Sequence, residues 1–217
     1  MRQKRYDTLL FDLDGTIVDS GPGIMRSVQY ALDHFGLADQ PEEKLRRFIG
    51  PSLMDSFTAY YGMTEADARR AVEYYRECYD GSQVLNASLY QGIRDSLNRL
   101  QADGRQMVLV TTKPLVFAER ILKHFHLDHL FPDKVCPELT DPSSDKGRLI
   151  RTAEKKAGFN PADAVMIGDT RYDMAGARET GVAAIGVTYG YGTPEELKQA
   201  GADLLVHSPA ELYVALV

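Results

Sequence analysis

Asp12-Leu13-Asp14-Gly15-Thr16, followed by Asp19, is the first segment whose residue types and spacing could do chemistry. Residues two apart on an extended chain point the same way, so Asp12 and Asp14 can face one site. Adjacent carboxylates repel, and one keeps a raised pKa unless a cation lies between them. Asp-Gly is also an ordinary turn pair, so an acidic turn is the competing reading of this segment alone. Three further segments join it. Gly168-Asp169-Thr170-Arg171-Tyr172-Asp173 sets Asp169 and Asp173 on one face of an opening helical turn. Val108-Leu109-Val110 runs into Thr111-Thr112-Lys113-Pro114, which brings hydroxyls and a base. Lys146 begins a helical stretch after the loop Asp141–Asp145. Hard oxygen ligands in this number suit Mg²⁺.

These segments need buried elements to position them. Tyr6–Phe11, Gln106–Val110, Ala164–Ile167, Val182–Val187 and Asp203–Val206 read as strands, several too continuous to be half-exposed. Amphipathic stretches alternate with them: Ala118, Ile121, Leu122 and Phe125 form one stripe, and Leu149, Ile150, Ala153 and Ala157 another. Alternation from about residue 86 onward predicts an α/β, Rossmann-like, doubly wound parallel sheet, with its ligand crevice at the strands' carboxyl ends. Between Pro22 and Asp80 the signals are helical only. Ile24, Val28, Ala31, Leu32 and Phe35 make a stripe closed by Gly36, Pro51 suits the first position of a helix, and Thr64-Glu65-Ala66-Asp67 resembles a capping box. The predicted organisation is a core of residues 1–17 and 86–217 with an all-helical cap of residues 18–85. Its hinges are expected at Asp19–Gly21 and Asn86–Gly92.

Composition narrows the function classes. The 217 residues, 44% hydrophobic and 26% charged, describe an ordinary globule with one core and a smaller insertion. Thirty-one acids against 25 bases, a net charge of −6, argue against a face-wide surface for nucleic-acid polymers or anionic membranes. Cys78 and Cys136, far apart in sequence, read as free thiols in a reducing compartment. The basic start is followed by only Leu9, Leu10 and Phe11 before Asp12, too short for a signal-peptide core, and no apolar run is long enough to span a membrane. A cytoplasmic monomer is expected. His124, His126, His129 and Cys136 fit no common zinc spacing and read as a polar helix end. Tyr60-Tyr61 and Tyr74-Tyr75 read as packing, and Lys44-Leu45-Arg46-Arg47 as a solvated face.

In this order the motifs resemble those of the haloacid dehalogenase-like hydrolases, specifically their phosphatases with a helical cap after the first motif. Phe11-Asp12-Leu13-Asp14-Gly15-Thr16 with Val18-Asp19-Ser20 carries most of the resemblance. Gly168-Asp169 with Asp173 stands in the matching position, Thr111 and Lys146 fall between, and the likeness spans essentially the whole chain. Phe48-Ile49-Gly50-Pro51-Ser52 and Tyr189-Gly190-Tyr191-Gly192 are similar to members known as phosphoglycolate phosphatases and 5′-nucleotidases.

The resemblance implies a Mg²⁺-dependent phosphomonoester hydrolase acting on a small phosphorylated metabolite. Asp12 would be the nucleophile and Asp14 the acid and base. Asp12, the Asp14 carbonyl and Asp169 would hold the metal, with Asp173 in support. Gly15, Thr16, Thr111, Thr112 and Lys146 would hold phosphate, and Gly50 would lie in the cap loop. Thr112 replaces a frequent Asn, Gln91 a usual Pro, and the loop before Lys146 lacks the relatives' Lys-Pro-x-Pro, which leaves Lys134 as an alternative. A phosphosugar mutase or phosphotransferase of the same superfamily is a second reading, although Leu53 stands where mutases carry a basic residue. A non-catalytic phosphoester-binding protein is a third.

Overall fold

The computed structural model describes residues 6–140 and 145–217. The basic start, residues 1–5, and residues 141–144 of the loop before Lys146 lie outside the described residues. The chain opens with β1 (Thr8–Phe11) and a short β2 (Val18–Asp19). Helices α1 (Gly21–Asp33), α2 (Glu42–Arg46), α3 (Leu53–Tyr61) and α4 (Glu65–Cys78) follow, and α4 runs on as a π-helical turn, Tyr79–Gln83. Strand β3 (Ser88–Leu89) returns antiparallel to β2, with Val18 opposite Leu89. Strand and helix then alternate: α5 (Ile93–Ala102), β4 (Gln106–Val110), α6 (Leu115–His124), β5 (Asp133–Val135) and α7 (Lys146–Ala157). The last third holds β6 (Ala164–Gly168), α8 (Arg171–Thr180), β7 (Ala183–Val187), α9 (Pro194–Ala200), β8 (Leu204–Val206) and α10 (Pro209–Leu216).

Six strands form one parallel sheet in the order β5-β4-β1-β6-β7-β8. The chain builds outward from β1 to one side, then returns to build the other, so the direction of winding switches at β1. Leu10 lies opposite Val108 on one side and Met166 on the other. Both faces of β1 are covered, as strand alternation requires of a central strand. Leu9 and Phe11 join a core that includes Leu97, Phe117 and Ile121. Leu10 joins a second core with Leu149, Ile150 and Met174. Burial on both faces and pairing on both edges fix the end of β1 firmly.

Several expectations need correction. A sixth sheet strand, β5, was not expected: it has three residues, two of them charged, and offers no apolar run to read. Tyr6, Val182 and Asp203 lie just outside their strands. Pro51 does not open a helix, because α3 starts at Leu53 with Ser52 as its cap. The stripe through Phe35 outruns α1, which stops at Asp33. Thr64 does cap α4: its hydroxyl oxygen accepts the Asp67 N–H at 3.2 Å. No helix among the described residues is long and apolar enough to cross a membrane. Cys78 and Cys136 are free thiols.

Candidate active site

Asp12 follows directly from β1, and its N–H donates to the Ile167 carbonyl at 3.0 Å, in continuation of the sheet. Asp169 follows β6 in the same way. One carboxylate oxygen of each of Asp12, Asp169 and Asp173 lies within 4.8 Å of the others, and all three residues are buried. Asp173 is fixed at the start of α8, where its Oδ2 accepts the Thr170 N–H (3.0 Å) and hydroxyl (2.7 Å). Lys146, the first residue of α7, sends its ammonium into the cluster. Its Nζ lies 2.7 Å from Asp12 Oδ1, 2.7 Å from Asp173 Oδ1 and 3.0 Å from the Val110 carbonyl. Lys134 lies elsewhere, paired with Asp128 at 3.2 Å. The structure therefore brings Lys146, not Lys134, to the acids.

Three buried carboxylates face one ammonium. Burial pushes the Asp12 carboxyl up to about 6; Lys146 opposes that shift, and Asp173 and Asp14 add to it. Burial likewise raises Asp169 well above the usual carboxylate range, with Asp173 and Asp12 adding. For Lys146, burial alone would lower the ammonium, but Asp12 and Asp173 outweigh it and hold the proton. A buried excess of negative charge is costly unless paired, and a hard dication among carboxylate oxygens would pair it. The donor set fits a divalent metal.

Asp14 is held differently. Its carboxylate lies outside the acidic cluster and accepts from Ser20 Oγ at 2.5 Å and from Lys113 Nζ at 2.8 and 3.0 Å. The intervening turn depends on Gly15, whose φ of +82° disfavours other residues and where a side chain would fall on the Asp169 carboxylate. Thr16 is fully buried, and its hydroxyl donates to Asp169 Oδ1 at 3.5 Å, a long contact. Gly15 and Thr16 are thus under the acids and do not line the cavity.

That cavity, of about 850 Å³, opens above Asp12, Asp14, Thr111, Thr112, Lys146 and Asp173. Asp169 lies beneath it. Residues of the helical insertion close the far side: Gly50, Arg69, Tyr75 and Arg76. Thr111 is nearly inaccessible, and its hydroxyl oxygen accepts the Lys113 N–H at 3.3 Å. Tyr75 both packs, stacked on Tyr79 with ring centroids 5.4 Å apart, and lines the cavity. In the Lys44–Arg47 run, Arg46 and Arg47 are exposed, as a solvated face requires, and Lys44 is half-buried. Lys44 lies 4.0 Å over the Tyr61 ring, and Arg46 lies 5.3 Å over Tyr191. His124, His126, His129 and Cys136 form no metal group among the described residues.

Sequence reasoning missed the partners of Asp14. Ser20 sits inside a motif already noted, and Lys113 was visible only as a base at a strand end. Their contact with Asp14 spans 99 positions for Lys113, so only the pairing of β1 with β4 reveals it.

A doubly wound sheet with buried acids and a lysine at its switch point, and helices inserted behind its first strand, defines a class of α/β hydrolases. The family described as haloacid dehalogenase-like hydrolase matches residues 9–187. The chain belongs to that family and is an enzyme of its phosphatase class. It is similar to a 5′-nucleotidase of Pseudomonas aeruginosa, 40% identical over 194 residues that cover 89% of this chain and 88% of that one. It is also similar to a phosphoglycolate phosphatase of Haemophilus influenzae, 30% identical over 98% of this chain and 99% of the relative. Among solved structures it resembles a predicted phosphatase from Clostridium acetobutylicum. The TM-score there is 0.92 and the identity 40%, over 97% of both chains.

Proposed function

We propose that this enzyme hydrolyses a small phosphorylated metabolite, a phosphoglycolate-like or 5′-nucleotide-like monoester, with Asp12 as the nucleophile and Mg²⁺ as the metal. The observation that carries the reading is Asp12 itself: it ends the central strand, touches Lys146 at 2.7 Å, and stands among buried acids at the floor of a cavity. The names of the relatives support both substrate classes.

A carboxylate oxygen of Asp12 attacks phosphorus, the bond to the leaving oxygen breaks, and that oxygen takes a proton from Asp14. The enzyme then carries an aspartyl phosphate. Asp14, now ionised, takes a proton from water, whose oxygen attacks phosphorus and releases inorganic phosphate and Asp12. Two steps replace one difficult displacement. Thr111, Thr112 and Lys146 hold the equatorial oxygens where charge collects, while Gly15 and Thr16, whose N–H groups bond to the Val18 and Leu13 carbonyls, shape the turn beneath. Ser20 and Lys113 keep the Asp14 carboxylate in place. Asp12, Asp169 and the Asp14 carbonyl would hold Mg²⁺, with Asp173 behind them. When bound, the metal offsets the repulsion between an anionic nucleophile and a phosphate dianion.

Residues 1–17 and 86–217 act as the catalytic core and residues 18–85 as a cap, with hinges at Asp19–Gly21 and Asn86–Gly92 and Gly50 over the leaving group. A cavity of about 850 Å³ leaves room for a group well beyond phosphate. The enzyme works as a cytoplasmic monomer without nucleic-acid or membrane partners, a reading supported by its net charge of −6 and its free thiols. In the test, Asp12→Asn abolishes p-nitrophenyl phosphate turnover in a variant that remains folded. Substantial residual rate rejects Asp12 as the nucleophile. A panel of phosphorylated metabolites then separates the two ester classes.

A further inference from the structure

Tyr189-Gly190-Tyr191-Gly192, the segment after β7, lies against three parts of the molecule at once. The Tyr191 N–H donates to Asp169 Oδ2 at 2.8 Å. At the other end of the same residue, the phenol donates to Asp19 Oδ1 at 2.7 Å and accepts the Gly21 N–H at 2.7 Å. Asp19 ends β2 and Gly21 begins α1, so these are the bonds of the stem from which the helical insertion departs. Arg46, within the insertion, lies over the same ring. Tyr189 reaches the first motif and the returning strand: its hydroxyl donates to the Thr16 carbonyl at 3.1 Å, and its ring lies 4.9 Å from that of Tyr90.

Gly190 and Gly192 make this approach possible. A side chain at position 190 would fall on the Gly15 carbonyl and the Asp169 side chain, and one at 192 on the Asp169 carbonyl. Burial, the neighbouring Tyr90 and the bond to Asp19 keep the Tyr191 phenol protonated as a donor.

We infer that Tyr191 is a positioning residue that couples the stem of the helical insertion to the Asp169 carboxylate, so that the insertion and the acidic cluster are oriented together. The inference rests on the phosphatase reading above. The main chain holds the acid, and the side chain holds the stem. Tyr191 thus joins the stem directly to the residue whose main chain holds Asp169.

Tyr191→Phe removes the phenol and retains both the ring and the main-chain N–H on Asp169. In that variant kcat/KM for p-nitrophenyl phosphate falls about tenfold, the size expected for a lost hydrogen bond to a charged group. Hydrogen exchange at the Gly21 amide quickens by a similar factor. Magnesium affinity, measured by calorimetry without substrate, stays within about twofold because the bond to Asp169 is untouched. Asp19→Ala removes the Tyr191–Asp19 bond from the other side, together with the longer Gly21 N–H bond to Asp19 (3.2 Å), lowers kcat/KM by a similar factor, and carries the test alone if the Phe variant does not fold. The double variant loses less than the sum of the two single losses, since the Tyr191–Asp19 bond is common to both, although only the double leaves the Gly21 N–H without either acceptor. Additive losses, a loss that tracks magnesium affinity, unchanged exchange at Gly21, or no loss in either single variant would overturn the coupling. Failure of the underlying reading is separately visible, as absent turnover by the wild-type enzyme or full turnover by Asp12→Asn.

Discussion

Lys146 carries the heaviest electrostatic duty of any residue in the site. Among the described residues it is the one ammonium in contact with Asp12 and Asp173, and burial denies all three the help of water. Removing one partner of a buried charge cluster leaves the others uncompensated, which typically costs about 3–5 kcal/mol. Lys146→Met is therefore expected to lower stability by about 3 kcal/mol in metal-free buffer, read by urea unfolding. Loss of turnover by about a hundredfold or more should accompany it if, as proposed, the same ammonium holds the phosphate oxygens. A variant as stable and active as the parent would remove Lys146 from both roles. Asp12 and Asp169 were legible in sequence because each closes an apolar run, and Asp14 and Asp173 because their spacing sets them on the same face as those two. Lys146 was legible from its position in motif order. Lys113 and Ser20 were not, because their meaning lies in a contact with Asp14 that only strand pairing creates.

At the scale of elements, the alternation of strands and helices was readable wherever burial demanded apolar runs. It failed at β5, whose Asp133 and Lys134 are only partly buried at the sheet edge, and at the ribbon of β2 and β3, two residues each. Short or half-exposed strands carry too little hydrophobic signal to be seen. The loop from Phe48 to Ser52 shows how an element's backbone constrains a test of its role. Gly50 has a φ of +104° and lies beside Thr170, so a side chain there would be 3.3 Å from the Thr170 methyl. Gly50→Arg would project a long cation into the cavity above Asp12. Efficiency on the best substrate of the panel is expected to drop at least about a hundredfold, as for a blocked leaving-group pocket. The strained backbone adds a penalty of about 1–2 kcal/mol, seen as a modest fall in Tm. Magnesium affinity should hold, because the acids belong to other elements. Full efficiency in this variant would mean that the loop does not meet the leaving group.

The whole molecule is divided by its winding into two halves that meet at β1, and the acidic cluster lies on that seam. Asp12 comes from β1, Lys146 from the last helix of the first half, and Asp169 and Asp173 from the start of the second. A metal held by these acids would therefore stabilise the junction of the two halves as well as the reaction, since it binds the folded chain and finds no such cluster in the unfolded one. At a free concentration about 100-fold above its dissociation constant, a ligand of this kind contributes about 2.7 kcal/mol. For a chain of this size, that corresponds to a rise in Tm of roughly 5–10 °C. Thermal unfolding in EDTA and in increasing Mg²⁺ should show that rise, with a midpoint matching the calorimetric affinity, and turnover should vanish and return over the same range. The Asp12→Asn variant gives the decisive contrast. It removes one carboxylate charge from the seam, so its metal-free form should unfold at a higher temperature than the parent while gaining less from Mg²⁺. A parent protein whose Tm ignores the metal would separate the cluster from Mg²⁺ binding, and turnover that persists after exhaustive chelation would remove the metal from the proposed mechanism.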